Sequence, residues 1–258
     1  MIDTHTHIYE KAYDEDRDLV VRSAVEAGVG VMLLPSTNEE DVEDVWAVTE
    51  KYKGVCMPMY GLHPTEIGDN PDLQLDKILD FAMRHEPYVG IGEIGLDLHW
   101  DKSNIEVQKH IFERQIDYAW EHDKPVSIHC REAVSVLMDM FEKRGGRIPG
   151  GSLHCYDGSV EQAKVIVRKY PQLGFGFGGS CTYKNSKVSE VAANIPLTHI
   201  LTETDAPYLT PVPHRGTRNE PKYVPLVVSR LAAAIGVSEG DLGAVTEANA
   251  RRIFGLKE

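Results

Sequence analysis

The chain has 258 residues, which fits one large domain better than two small ones, because α/β barrels commonly reach about 250 residues as one unit. Its formal net charge of −13 speaks against broad, sequence-independent adhesion to nucleic acid, which requires clustered Lys and Arg. It contains no signal segment and no run of about 18 apolar residues, so we expect a cytoplasmic protein without a membrane span.

Short apolar runs alternate with longer amphipathic stretches along the whole chain. Eight such runs are predicted to be strands: residues 1–8, 29–35, 55–62, 88–94, 125–129, 151–154, 173–177 and 199–202. The stretches between them have helical spacing, as at Phe112, Ile116 and Ala119 within residues 104–122. The alternation predicts an α/β fold, a single (β/α)8 TIM barrel over residues 1–258.

Residues typical of turns and helix caps support this order of strands and helices. Thr37 or Asn38, followed by two glutamates, is typical of a helix N-cap, and Gly28 and Gly54 are placed to end helices just before the next strand. After the eighth strand, residues 220–235 and 241–254 are predicted to be closing helices rather than a second domain.

The first predicted strand carries a histidine pair. His5 and His7 are two residues apart, so in a strand they point to one side and can bind one cation, with Asp3 on the same face. Without a cation, buried carboxylates and imidazoles would carry a desolvation cost of several kcal/mol. The motif therefore indicates a metal site.

Further polar side chains lie where later strands end. They are His63 after strand three, Glu93 in strand four, His129 and Arg131 in strand five, His154 in strand six, and Glu203 and Asp205 after strand eight. Barrel enzymes place their catalytic groups at these C-terminal strand ends, so we expect the side chains to converge on one rim. Imidazole ligands favour transition metals such as zinc or manganese over magnesium, although the sequence does not decide among the three.

The four cysteines, Cys56, Cys130, Cys155 and Cys181, have no C-x-x-C spacing, so we expect reduced residues rather than a zinc ribbon or a disulfide scaffold. Cys130 and Cys155 each follow a histidine directly. In a strand they would face away from it, toward the covering helices.

Seven motifs occur together in a fixed order: DTHTH (residues 3–7), GLHP (61–64), GEIGLD (92–97), IHCRE (128–132), LHCYDGS (153–159), the block at 203–221 and NARRIFG (249–255). In this order and spacing they resemble the TatD family of metal-dependent hydrolases, within the amidohydrolase superfamily. The resemblance covers essentially the whole chain.

The resemblance implies a centre of two divalent metal ions. By similarity His5, His7, Glu93 and Asp205 would hold one ion, and Glu93, as a bridge, with His129 and His154 would hold the second. Asp205 would be the general base. His63 would lie near the scissile phosphate, and Arg131 is a weaker candidate for the same place.

The loop after strand eight offers candidate substrate contacts. Arg215 and Arg218 either grip phosphate, as guanidinium groups do bidentately, or fix the loop to neighbouring carboxylates. Tyr208 either stacks on a base or packs within the loop.

Together these features predict a metal-dependent deoxyribonuclease that shortens single-stranded DNA from its 3′ end, with RNA as a further substrate, without an obligate protein partner. An acidic chain suits this role if the metal ions make the pocket locally cationic. One alternative keeps the ions but cleaves an amide, a lactone or an aminoacyl-tRNA ester. Another is a metal-dependent binding barrel without turnover.

Overall fold

The computed structural model describes residues 1–100 and 102–257. Within them, eight parallel strands form one sheet in sequential order. The strands are β1 (Ile2–Asp3), β2 (Val31–Pro35), β3 (Cys56–Tyr60), β4 (Gly90–Asp97), β5 (Val126–Arg131), β6 (Gly151–Leu153), β7 (Leu173–Phe177) and β8 (Ile200–Thr202). The backbone N–H of Thr4 donates to Thr202 O at 3.1 Å and brings the two edge strands together. The predicted (β/α)8 barrel is confirmed.

Helices follow the strands and cover the outside of the barrel. They are α1 (Arg17–Glu26), α2 (Val42–Lys51), α3 (Pro71–Arg84), α4 (Ile105–Glu121), α5 (Val134–Lys143), α6 (Val160–Lys169), α7 (Val188–Ala192), α8 (Val224–Ile235) and α9 (Glu239–Phe254). Their buried faces carry the predicted spacing, with Phe112, Ile116 and Ala119 of α4 all in the core. Among the described helices, none has the length and apolar character needed to cross a membrane. One domain over residues 1–258 stays a prediction.

The predicted start of α2 was wrong. The helix begins at Val42, after Asp41, and not directly after Thr37 or Asn38. Asn38 Oδ1 accepts hydrogen bonds from the backbone N–H groups of Glu40 (2.8 Å) and Asp41 (3.0 Å). The asparagine thus caps a separate turn ahead of the helix, a local competition that Asn side chains often win against helical pairing.

The first strand is shorter than predicted, yet the chain beyond it is held between its neighbours. β1 ends at Asp3, but Thr6 N–H donates to Leu33 O (3.1 Å) and His7 N–H to Ala206 O (2.7 Å). These bonds fix residues 4–7 between β2 and the segment after β8. The backbone of His5 and His7 is therefore held on both sides, as it would be in a strand.

Candidate metal centre

Three buried side chains from the first motif and β4 meet at the C-terminal end of the barrel. His5 Nε2 lies 3.1 Å from His7 Nε2 and 3.2 Å from Glu93 Oε2. His7 Nε2 lies 3.5 Å from the same carboxylate oxygen. Two imidazole nitrogens and a carboxylate oxygen at these separations form a donor group of the kind that holds a divalent cation.

Asp205 and His154 lie on the β8 side of this group. Asp205 Oδ1 is 3.5 Å from His7 Nε2 and 3.7 Å from His154 Nε2. The rings of His154 and His5 stack with centroids 3.4 Å apart and planes 15° apart, so the two imidazoles pack face to face. Asp205 has a left-handed backbone (φ 55°), an uncommon conformation for a residue other than glycine that is frequent at functional sites.

His129 and His63 approach the other oxygen of Glu93. His129 Nδ1 is 3.1 Å and His63 Nε2 is 3.4 Å from Glu93 Oε1, while His154 Nε2 is 3.7 Å from it. Each carboxylate oxygen of Glu93 therefore faces its own group of imidazoles. This is the arrangement that a bridging carboxylate requires.

The remaining nitrogens of four imidazoles contact a partner outside the cluster. Three of the contacts are hydrogen bonds that fix the ring orientation: His5 Nδ1 with Ser127 Oγ (2.9 Å), His7 Nδ1 with Tyr9 Oη (2.9 Å) and His129 Nε2 with Asp97 Oδ2 (2.9 Å). His154 Nδ1 lies 3.1 Å from Glu203 Oε1 without a hydrogen bond between them. Histidines that bind metals are usually oriented in this way by a second hydrogen-bonding partner. The donor set fits divalent cations.

No function was predicted from the sequence for two of these outer partners, Asp97 and Glu203. Asp97 follows Glu93 by four residues in β4, so the two-residue period of a strand places both on one face and could have identified it. Glu203 is fully buried, and its carboxylate occupies the space that a Cβ on Gly176 would need. The glycine in β7 therefore makes room for the partner of His154.

His5 and Glu93 have the protonation states that metal binding needs. Burial, together with repulsion from His154, lowers the pKa of His5 to about 4, which keeps that imidazole neutral. Burial opposes ionisation of Glu93, but attraction to His63 and His5 outweighs it and holds the pKa of this carboxyl well below its usual range. Neutral imidazoles and ionised carboxylates are the forms that bind cations.

Asp3 is not in the cluster, although the sequence placed it on the face of His5 and His7. Its carboxyl oxygens accept from Thr204 Oγ1 (2.6 Å), Thr204 N (3.0 Å) and His5 N (3.3 Å). The expectation was wrong because regular strand alternation stops at Asp3 itself. Asp3 instead fastens the segment that leads to Asp205.

Cys155 also departs from its prediction. β6 ends at Leu153 and Cys155 has φ 43°, so strand alternation no longer applies to its side chain. Its Sγ lies with donor atoms of His154 and Glu203 in one group within 4.8 Å, instead of facing the helices. Cys130, within β5, is buried as expected, and all four cysteines are free.

The predicted substrate residues lie in different environments on the rim. The Arg218 guanidinium forms a bidentate ion pair with Asp16 (2.8 and 2.7 Å). Arg215 is exposed, lies 4.3 Å from the Tyr183 ring centroid and has no ion pair within the described residues. Tyr208 Oη donates to Glu10 at 3.1 Å. Arg131 is partly buried in β5.

Comparison with known proteins places this barrel in a family. Residues 2–255 match the family model described as TatD related DNase. The chain is 35% identical over 255 residues to the uncharacterized metal-dependent hydrolase YabD of Bacillus subtilis, covering 98% of both chains. It is 32% identical over 262 residues to the 3′-5′ ssDNA/RNA exonuclease TatD of Shigella flexneri, covering 99% of both. The crystal structure of YjjV, a TatD homologue from Escherichia coli K12, superposes with a TM-score of 0.92 at 29% identity, covering 100% of this chain and 98% of that one.

Proposed function

The chain belongs to the TatD-related DNase family of metal-dependent hydrolases, and from this premise we propose that it removes nucleotides from the 3′ end of single-stranded DNA, and of RNA. The observation that carries the proposal is the pair of imidazole groups around the two oxygens of Glu93. Relatives at 32% identity that bear the name of a 3′-5′ ssDNA/RNA exonuclease support the choice of substrate.

We assign two divalent ions, zinc, manganese or magnesium, to this cluster. His5, His7, Glu93 and Asp205 would hold one ion, and Glu93 would share the second with His129 and His154. When bound, such a pair lowers the pKa of a water molecule and neutralises charge on the attacked phosphate.

His63 serves the substrate rather than an ion. Its Nδ1 accepts a hydrogen bond from the backbone N–H of Thr65 (3.2 Å), so in the neutral ring the proton resides on Nε2. A protonated Nε2 donates and cannot ligate a cation. Directed toward Glu93 Oε1 at 3.4 Å, it is placed to donate to an oxygen of the scissile phosphate.

Asp205 takes the proton of the attacking water. Burial raises the pKa of its carboxyl, but attraction to His154 and the hydrogen bond from His7 bring it below the usual range, so the group is ionised at neutral pH. Its side chain retains 15% exposure, whereas that of Glu93 retains 5%, which leaves Asp205 the more accessible carboxylate. An accessible, ionised carboxylate next to the reacting phosphate suits a general base.

Arg131, Arg215 and Tyr208 remain proposed substrate contacts, and Arg131 and Arg215 have no carboxylate partner within the described residues. The ion pair of Arg218 with Asp16 favours its role in fixing the loop. A cytoplasmic location and activity without an obligate protein partner stay predictions.

The test uses protein reconstituted with manganese or zinc and single strands labelled at the 5′ end. A ladder that shortens from the 3′ end, and that disappears with EDTA or in Asp205→Asn, supports the proposal. Hydrolysis of an amide, a lactone or an aminoacyl-tRNA ester by metal-loaded protein that leaves all single strands intact would contradict it. Ligand binding without any turnover would favour a binding barrel.

A further inference from the structure

Trp100 is the most exposed large apolar side chain in the described part of the chain, with 71% of its surface accessible. It lies three residues beyond the C-terminal end of β4, the strand that carries Glu93. The loop that bears it is therefore on the face of the barrel where the metal centre opens. An exposed indole is unfavourable in water and is common where an aromatic ligand is bound.

The backbone at Trp100 is tied to the metal centre through one carboxylate. Asp97 Oδ1 accepts from the backbone N–H groups of His99 (2.8 Å) and Trp100 (3.0 Å), and Asp97 Oδ2 contacts His129 Nε2 at 2.9 Å. Asp97 is itself almost completely buried. The start of this loop is consequently fixed with respect to His129.

The Arg131 guanidinium lies beside the indole. It is 5.5 Å from the Trp100 ring centroid and has no ion pair with any residue in 1–100 or 102–257. The neighbouring His99 and Lys102 both contact the Glu132 carboxylate, at 2.7 and 3.6 Å. An aromatic face next to a guanidinium that has no ion pair in the described residues suits a nucleobase and the phosphate attached to it.

We propose that Trp100 is a stacking platform for a base that flanks the scissile phosphate, with Arg131 contacting a phosphate of the same strand. This inference rests on the proposed function. It adds a structural reason why the substrate is a single strand and not a duplex. A base in a duplex has both faces covered by neighbouring pairs, whereas a base in a single strand offers a free face. The platform therefore selects single strands and is indifferent to base identity.

Activity measurements on metal-loaded protein provide the first test. Trp100→Ala raises KM for a single-stranded oligonucleotide about tenfold, the usual cost of losing one base stack, and leaves kcat unchanged. Trp100→Tyr restores most of the loss. Replacing nucleotides one at a time by abasic residues identifies one position at which wild type and Trp100→Ala become equal. Equal KM values on the intact strand, or a loss that persists at every abasic position, would overturn the proposal.

Trp120 supplies a matched control. It is 43% exposed and lies in the last turn of α4, which leads to the start of β5 at the opposite face of the barrel. Trp120→Ala leaves KM unchanged.

Tryptophan fluorescence gives a second readout that does not require turnover. The chain has three tryptophans, and oligothymidylate bound to the Asp205→Asn protein quenches the emission of Trp100. Trp100→Phe abolishes this quenching and Trp120→Phe preserves it. Quenching that depends on Trp100, together with no strand cleavage by metal-loaded wild-type protein, would reject the nuclease proposal and keep Trp100 as a stacking residue for single strands. Cleavage with KM and quenching unaffected by changes at Trp100 would reject this one alone.

Discussion

Asp97 and His129 form a carboxylate–imidazole pair in which Asp97 Oδ2 lies 2.9 Å from His129 Nε2, leaving Nδ1 to face Glu93 at 3.1 Å. Burial raises the pKa of Asp97, but its bonds from His129 and the loop amides hold it well below the usual range, so the carboxylate stays charged. The pair determines which nitrogen of His129 is available to a cation.

Asp97→Asn should weaken the binding of the second metal ion about 10- to 100-fold. An amide orients the imidazole of His129 less strongly than a carboxylate does and makes it less basic. Isothermal titration of metal-free protein with manganese measures the change. Glu132→Gln is the control, since Glu132 contacts His99 and Lys102 but not the cluster. An unchanged affinity in Asp97→Asn would show that the pair has no part in metal binding.

His63 and His129 approach the same oxygen of Glu93, but we expect only His129 to be needed for metal binding. His129→Ala is expected to lose one ion per chain. His63→Ala should keep both ions and lower kcat/KM about 10- to 100-fold, because its Nε2 proton donates to the substrate rather than to a ligand position. Elemental analysis of the two variants decides this, and a missing ion in His63→Ala would make His63 a ligand.

The sequence predicted all eight strands because apolar runs of strand length alternate with helical spacing over the whole chain. It also predicted that His5, His7, Glu93 and Asp205 would meet, because parallel strands in a barrel bring their C-terminal ends to one face. Both conclusions depend on the periodic spacing of apolar residues, which can be recognised in one sequence alone.

Features outside regular structure were not predictable in the same way. Cys155 contacts the cluster because its backbone is left-handed, and Asp3 bonds to Thr204 because β1 stops after two residues. Asn38 caps a turn and not α2 for the same kind of local reason. The bonds of Asp3 join segments far apart in the chain, whereas those of Asn38 compete locally with helical pairing, and residue spacing encodes neither.

The contribution of Asp3 to the free energy of unfolding of the metal-free protein should decrease as pH rises. Burial raises the pKa of its carboxyl to about 8, so the folded state keeps a proton that the unfolded chain releases near pH 4. Because the folded state binds more protons, this group's stabilisation is complete below about pH 4 and is lost as pH rises toward about 8.

Asp3→Asn removes this titration while its amide can still bond to Thr204. The free energy of unfolding of Asp3→Asn, relative to wild type, should therefore increase between pH 5 and pH 8 and level off above it. Urea denaturation in EDTA at several pH values measures the difference. A constant difference over this range would mean that Asp3 is already ionised in the folded protein.

Arg215 and Arg218 lie three residues apart and should serve different purposes. Arg218 bonds to both oxygens of Asp16 and to the backbone of Ala12, so Arg218→Ala should lower the free energy of unfolding by about 1 kcal/mol, a modest value because the pair is partly exposed to solvent. Arg215 has no carboxylate partner in the described residues.

Arg215→Ala should therefore leave stability unchanged but raise KM for single strands about tenfold, as expected for one lost phosphate contact, and make binding less sensitive to salt. Urea denaturation together with KM measured at several salt concentrations separates the two residues. Asp16→Asn should reproduce the stability loss of Arg218→Ala and keep the KM of wild type. If Arg218→Ala instead raised KM at unchanged stability, its ion pair with Asp16 would have to open for substrate, and the loop would bind phosphate through both arginines.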